Sequence, residues 1–523
     1  MKNDNYITGK EAIQKRFNGI KKAADIVGGT MGTGGYNATI EVMENPGTMD
    51  TNDGISILQA LNFTDVYEEM GRKKLLEAVS RANKQSGDGS STTCVLTASI
   101  IEEGMKHLDS HSPMDIKKSL EECVPLIEES INKQKRDITP ETVGQVATIS
   151  AEDEGIGNMI QEIYTVIGKS GIIHWDISKT GKDFYTIGKG ITIDGAGFVS
   201  AYMGDLDEQT GQLKNVARWV KPKVLIVKQK ITSAGEFNTL FEALDKRDIK
   251  EVVVFCDEYE ANIVADLIRT RAVRGFKALL VKMPVFWKDW WYEDLAKATG
   301  ASIIDPNAGL SLKMMTMEHL GTCDNIVVDK ENTYIDGIKD VTEHIKALEE
   351  EGSDDSKLRA SRLNTKTARY FVGAGSDSAL SYRRLKVEDA ISASWQALQN
   401  GVVAGGGSAL ATTSMELPNT VGGKILSPCL REPAKVIATN AGYPEMVIGY
   451  DYVNGLGFDT KSKSFVDMFE AGIVDPANVT LNSVRNAISV AASVLTCNVA
   501  IQIPRPDITE QLVASIMTRN QPQ

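Results

Sequence analysis

Apolar residues recur every three or four positions near both ends of the chain. Ile13, Phe17, Ile20, Ala24 and Val27 share one face, and the same period runs through 70–84, 95–108 and 114–133, so each stretch predicts an amphipathic helix. From Gly188 the pattern changes. Short aliphatic runs at 224–227, 252–255, 278–281 and 302–304 alternate with helical stretches, the signature of an α/β layered domain. After Gly373 and Gly375 the helical period returns. Helical, then α/β, then helical predicts one domain inserted into another, with hinges near Gly188, Gly190, Gly373 and Gly375. The charged stretch 339–366 reads as a solvated helical pair, and Ile508, Leu512 and Ile516 predict a short amphipathic helix within 507–523.

Composition narrows the class. At 523 residues the chain exceeds one core and predicts roughly two to four domains. A net charge of −13 without a basic stripe argues against nucleic acid as a partner. Cys94, Cys123, Cys256, Cys323, Cys429 and Cys497 form no C-x-x-C pair, which predicts reduced core cysteines. The first residues lead into a charged amphipathic helix, and no apolar run approaches membrane-spanning length, so a soluble, cytoplasmic protein is expected. His107 and His111 share a face without a third ligand and read as surface residues.

The chemistry concentrates in Gly87-Asp88-Gly89-Ser90-Ser91-Thr92-Thr93, where a loop turns into a helix. Unpaired amides and the positive end of a helix dipole favour a phosphate there, and Asp88 suits the Mg²⁺ that accompanies a nucleotide. An ordinary turn with an N-cap is the competing reading. Similar segments lie far away: Thr30-Met31-Gly32-Thr33-Gly34-Gly35, Thr51-Asn52-Asp53-Gly54, Val387-Glu388-Asp389-Ala390 and Gly401-Val402-Val403-Ala404-Gly405-Gly406-Gly407. Gly168-Lys169-Ser170 lacks the glycine a Walker A loop requires.

Taken in order, with Val146-Ala147-Thr148-Ile149-Ser150 and Gly472-Ile473-Val474-Asp475-Pro476, these segments resemble the group I, GroEL-like chaperonins from about Ile13 to about Pro504. The resemblance implies an α+β multidomain chaperonin fold. A mostly helical equatorial domain would take 1–134 and 400–523, a small intermediate domain 135–188 and 368–399, and an inserted α/β apical, client-binding domain 189–367. It implies an ATPase that folds proteins, using ATP and Mg²⁺ with K⁺ as a candidate second ion. Thr30, Met31, Gly32, Thr33 and Asn52 would surround the phosphates, Asp88 would hold the metal, and Gly89, Ser90, Ser91 and Thr92 would bind phosphate oxygens. Asp53 and Asp389 would be catalytic, Asp389 orienting the attacking water. Gly406, Asp459, Thr460 and Asp475 would contact ribose and base, although asparagine is the familiar residue at position 459.

The same resemblance implies a homo-oligomeric, sevenfold ring, unfolded or partly folded polypeptides as clients, and a co-chaperonin lid as a candidate partner. Two amphipathic stretches, 236–244 with Phe237 and Phe241, and 258–271 with Ile263, Leu267 and Ile268, would form the client groove together with Phe198, Tyr202 and Met203. Such a stripe also suits packing on its own sheet. The aromatic run 286–292 reads mainly as core. Thr33-Gly34-Gly35-Tyr36 stands where the family carries two basic residues, and Asn52 where lysine is common. Those losses motivate a second reading, a divergent nucleotide-binding ring scaffold that holds clients with weak or no ATPase activity.

Overall fold

The structure, a computed structural model, describes residues 5–42, 47–178, 180–198, 216–284, 288–330, 332–364, 366–447, 453 and 455–503. It divides into two compact units, Met1–Ile40 with Thr48–Glu162 and Ala374–Gln523, and Glu41–Gly47 with Ile163–Gly373. The expected 507–523 helix and residues Tyr202, Met203, Phe286 and Trp287 lie outside the described residues.

The first unit is helical. Helices Gly9–Gly28, Val66–Ser86, Ser90–His107, Pro113–Gln134, Val421–Leu430 and Ala477–Thr496 pour their apolar faces into one core that includes Ile20, Leu75, Ile100, Ile127, Leu426 and Ile488. Two glycines set how closely the first pair packs. A Cβ on Gly19 would lie 1.9 Å from the Glu68 carbonyl oxygen, and one on Gly71 1.9 Å from that of Arg16, so these helices cross backbone to backbone. Near the crossing, the buried Arg72 guanidinium grips Glu69 through Nε (2.8 Å) and Nη2 (2.6 Å). Strands Tyr6–Thr8 and Val499–Ile501 pair antiparallel, joining the two ends of the described chain.

The second unit is built on two sheets. In the first, Ile303–Ile304, Lys223–Ile231, Glu251–Tyr259 and Lys277–Lys282 run parallel in that order, with Gly321–Thr322 antiparallel beside Lys223–Ile231. Their central residues, Val224 to Val227 and Val252 to Cys256, are fully buried, which is why these segments read as continuous apolar runs. Helices Asn238–Asp245, Ala261–Arg274 and Lys288–Thr299 supply the crossovers and covering faces. The other sheet has the order Ile172–Ile177, Lys366–Val372, Phe184–Asp194, Asn332–Asp336, Asn325–Asp329, Val216–Val220.

The predicted charged pair forms as Thr342–Glu351 and Asp354–Leu363, but it is not merely solvated: Ile345, Leu348, Ala360 and Leu363 enter the core. Five cysteines are buried as expected. Cys497 is exposed, because it follows the last turn of Ala477–Thr496, where the chain leaves the core.

Candidate functional site

Helix Val66–Ser86 ends at Gly87 and helix Ser90–His107 starts after Gly89, both glycines being left-handed with φ of 69° and 88°. A Cβ on Gly89 would also lie 2.4 Å from Ser483 Oγ, so glycine alone makes this turn. Ser90–His107 has no side-chain cap. Its first amides are therefore left for a partner, at the positive end of an 18-residue helix. Between the glycines, Asp88 Oδ1 accepts the Gly89 N–H and Oδ2 accepts the Ser150 hydroxyl at 3.3 Å. Amides suited to an anion thus stand beside a carboxylate suited to a cation.

A cavity of about 970 Å³ opens over this turn, entirely within the first unit. All the residues assigned above to nucleotide, metal or catalysis lie on its wall. The glycine loop is held by the Asn440 amide, which donates to the Gly28 and Met31 carbonyls at 2.8 and 2.9 Å. Thr30 Oγ1 donates to Val27 O at 2.7 Å and reaches Asn52 O at 3.3 Å, and Thr33 and Thr460 share a 2.6 Å hydroxyl contact.

Two of the wall carboxylates also bind local backbone amides. Asp53 caps helix Gly54–Ala60, accepting from Ile55 N–H, Ser56 N–H and Ser56 Oγ at 3.3, 2.9 and 2.6 Å. Asp459 accepts from the Lys461 and Ser462 amides at 2.9 and 3.1 Å. Asp475 is paired with Val403 in a two-stranded ladder, and Asp389 projects from helix Asp377–Asn400.

Electrostatically the cavity is short of cations. Burial, then the charges of Asp88 and Asp53, push Asp389 well above the usual carboxylate range. Burial raises Asp88 as well, and burial followed by Asp88 lifts Asp475 to about 7. Among the described residues no three His, Cys, Asp or Glu side chains form a group that could hold a metal ion. This donor set fits Mg²⁺, which binds through one or two carboxylates and completes its shell with phosphate oxygens and water.

The sequence matches the TCP-1/cpn60 chaperonin family over residues 23–195 and 205–503. The chain belongs to that family. Two crystal structures of the chaperonin gp146 from bacteriophage EL 2 (Pseudomonas aeruginosa), both in the presence of ATP-BeFx, share the fold of this chaperonin. Form II gives a TM-score of 0.69 at 17% identity, covering 96% of this chain and 99% of the other. Form I gives 0.64 at 16% identity with the same coverage. The GroEL-like resemblance and the multidomain α+β fold stand, and by family the protein is an ATP-dependent chaperone.

The expected client groove of this chaperonin needs correction. Phe198, Phe237, Phe241, Ile263 and Leu267 are 0%, 0%, 6%, 0% and 4% exposed and belong to the core of the second unit, while Ile268 is half-buried. Phe237 stacks on Phe241, which packs against Phe276, so the apolar stripe faces its own domain rather than a client. Trp291 and Tyr292 are likewise core residues, with the Tyr292 hydroxyl donating to Asp257 at 2.8 Å.

Among the wall residues that received no role from the sequence are Ser150, Glu152 and Lys386. Lys386 lies three residues before Asp389 on one helix, a spacing that places both on the same face. That spacing was the available signal.

Proposed function

We propose that this chaperonin hydrolyses Mg²⁺-ATP in the first-unit cavity and uses the cycle to bind and release non-native polypeptides. What carries the reading is the meeting of Asp53, Asp88 and Asp389 with the uncapped start of Ser90–His107 in one 970 Å³ cavity. The Gly89 to Thr92 amides and hydroxyls bind phosphate oxygens, the loop from Thr30 to Thr33 closes over them, and Asp88 holds the metal. Mg²⁺, when bound, neutralises charge on the phosphate oxygens. Asp389 orients the attacking water and accepts its proton, positive charge nearby favouring its ionised form. Gly406, Asp459, Thr460 and Asp475 face ribose and base. Asp53, with three donors on its carboxylate, fixes the turn beside the phosphates.

Family membership supports the larger assembly: a sevenfold ring in the cytoplasm, with equatorial, intermediate and apical domains at the boundaries given above and a separate lid as a candidate partner. Client contact is assigned to the inserted second unit.

The passive-scaffold reading keeps one observation in its favour, the absence of basic side chains at 33–36 and 52. Equilibrium titration with ATP, with and without Mg²⁺, tests the site. Wild type is expected to bind more tightly with Mg²⁺, and Asp88→Ala to lose that gain; an Asp88→Ala protein with an undiminished Mg²⁺ effect removes the metal assignment.

A further inference from the structure

Two lysines line the cavity, Lys386 and Lys461. Lys461 is exposed at the rim, whereas the Lys386 side chain is 8% exposed. Six aspartates, 53, 88, 153, 389, 459 and 475, share the same wall. A nucleoside triphosphate adds several negative charges to such a space, and charge there is weakly screened. One divalent ion offsets part of that burden. The loop that would cover the phosphates adds no basic side chain, since it reads Thr33-Gly34-Gly35-Tyr36.

Lys386 Nζ is held by a single carboxylate, donating to Glu152 Oε1 at 3.1 Å; the nearby Tyr382 ring centroid is 5.7 Å away. The same Glu152 oxygen accepts the Asn52 side-chain amide at 3.0 Å, and Asn52 O in turn meets Thr30 Oγ1. The lysine is thereby linked through Glu152 and Asn52 to the loop beside the phosphates. Glu152 itself is 38% exposed by side chain, so its carboxylate can return to water when the lysine leaves it.

We infer that Lys386 is the cation that recognises the terminal phosphate of a nucleoside triphosphate, and that Glu152 is its resting partner when no nucleotide is bound. The assignment rests on the nucleotide reading of the cavity. It makes Lys386 a specificity residue: a diphosphate falls short of it, and Asn52 remains with Glu152 when the lysine swings inward.

Calorimetric titration of the full chain with Mg-ATP and, separately, Mg-ADP tests this. Lys386→Met is expected to weaken ATP binding by about tenfold or more while leaving ADP within about threefold of wild type. Lys386→Arg is expected to retain the ATP preference, and Glu152→Gln to strengthen ATP binding by freeing the lysine. Unchanged ADP affinity in each variant reports an intact fold. A Lys386→Met protein in which ATP and ADP fall together, or neither changes, overturns the assignment alone. Wild type that binds neither nucleotide overturns the nucleotide reading and this assignment with it.

Discussion

Asp475 joins local geometry to a measurable pH effect. Burial first, and Asp88 second, hold its carboxyl up at about 7, against roughly 4 for an ordinary aspartate. Between those values the folded chain binds more protons than the unfolded one, so this group stabilises at acidic pH and withdraws that contribution as pH rises towards 7. Asp475→Asn is expected to flatten the fall in melting temperature between about pH 5 and pH 7.5 in the nucleotide-free protein. An unaltered slope contradicts it. Asp88 and Asp389, raised in the same direction, leave part of the slope in place. Asp53 and Asp88 were readable in sequence because turn chemistry and site chemistry use the same residue types. Ser150 and Lys386 were not, since a serine or lysine acquires meaning only from what folding brings beside it. The Ser150 partner is 62 positions away and the Lys386 partner 234.

Helices and central strands were the most readable elements, because burial imposes their period directly. The helix predicted at 70–84 begins earlier, at Val66, where Asp65 accepts the Tyr67 and Glu68 amides. The strand predicted at 252–255 lies inside Glu251–Tyr259. The client stripe failed for a physical reason. Phe237, Phe241, Ile263 and Leu267 would show the same spacing whether they faced a groove or their own sheet, and here the sheet takes them. The charged 339–366 segment hid a buried ionic cluster. Arg359 Nη2 lies 2.6 Å from Asp294 Oδ1 and 2.8 Å from Glu293 Oε2, and His344 Nε2 lies 2.8 Å from the same Asp294 oxygen. Asp294 is 4% exposed by side chain, and Asp294→Ala removes the hydrogen bonds it accepts from Arg359 Nε and Nη2 while Glu293 still pairs with the guanidinium, at a cost of about 1.5–3 kcal/mol. The unfolding midpoint of this unit, followed by tryptophan fluorescence beside Arg359, is expected to drop accordingly. A change within about 0.5 kcal/mol contradicts the cluster's role.

For the molecule as a whole, the alternation of helical and α/β texture predicts an insertion. The strands at Tyr6–Thr8 and Val499–Ile501 pair, so the helical first unit is closed from both ends, and Glu41–Gly47 with Ile163–Gly373 forms the sheet-based second unit. Segments near positions 30, 53, 88, 389 and 475 all lie within the stretches that match the family, and they meet in one cavity. Chaperone action requires that ligand occupancy of this cavity favour one conformation over another, and the available shift equals the difference in nucleotide affinity between them. Whether the cavity performs chemistry is decided most directly by steady-state phosphate release from Mg-ATP, compared between wild type and Asp389→Ala at matched nucleotide occupancy. The account predicts sustained release by wild type and near-complete loss in the variant, which still binds ATP. Turnover at the wild-type rate in Asp389→Ala contradicts it.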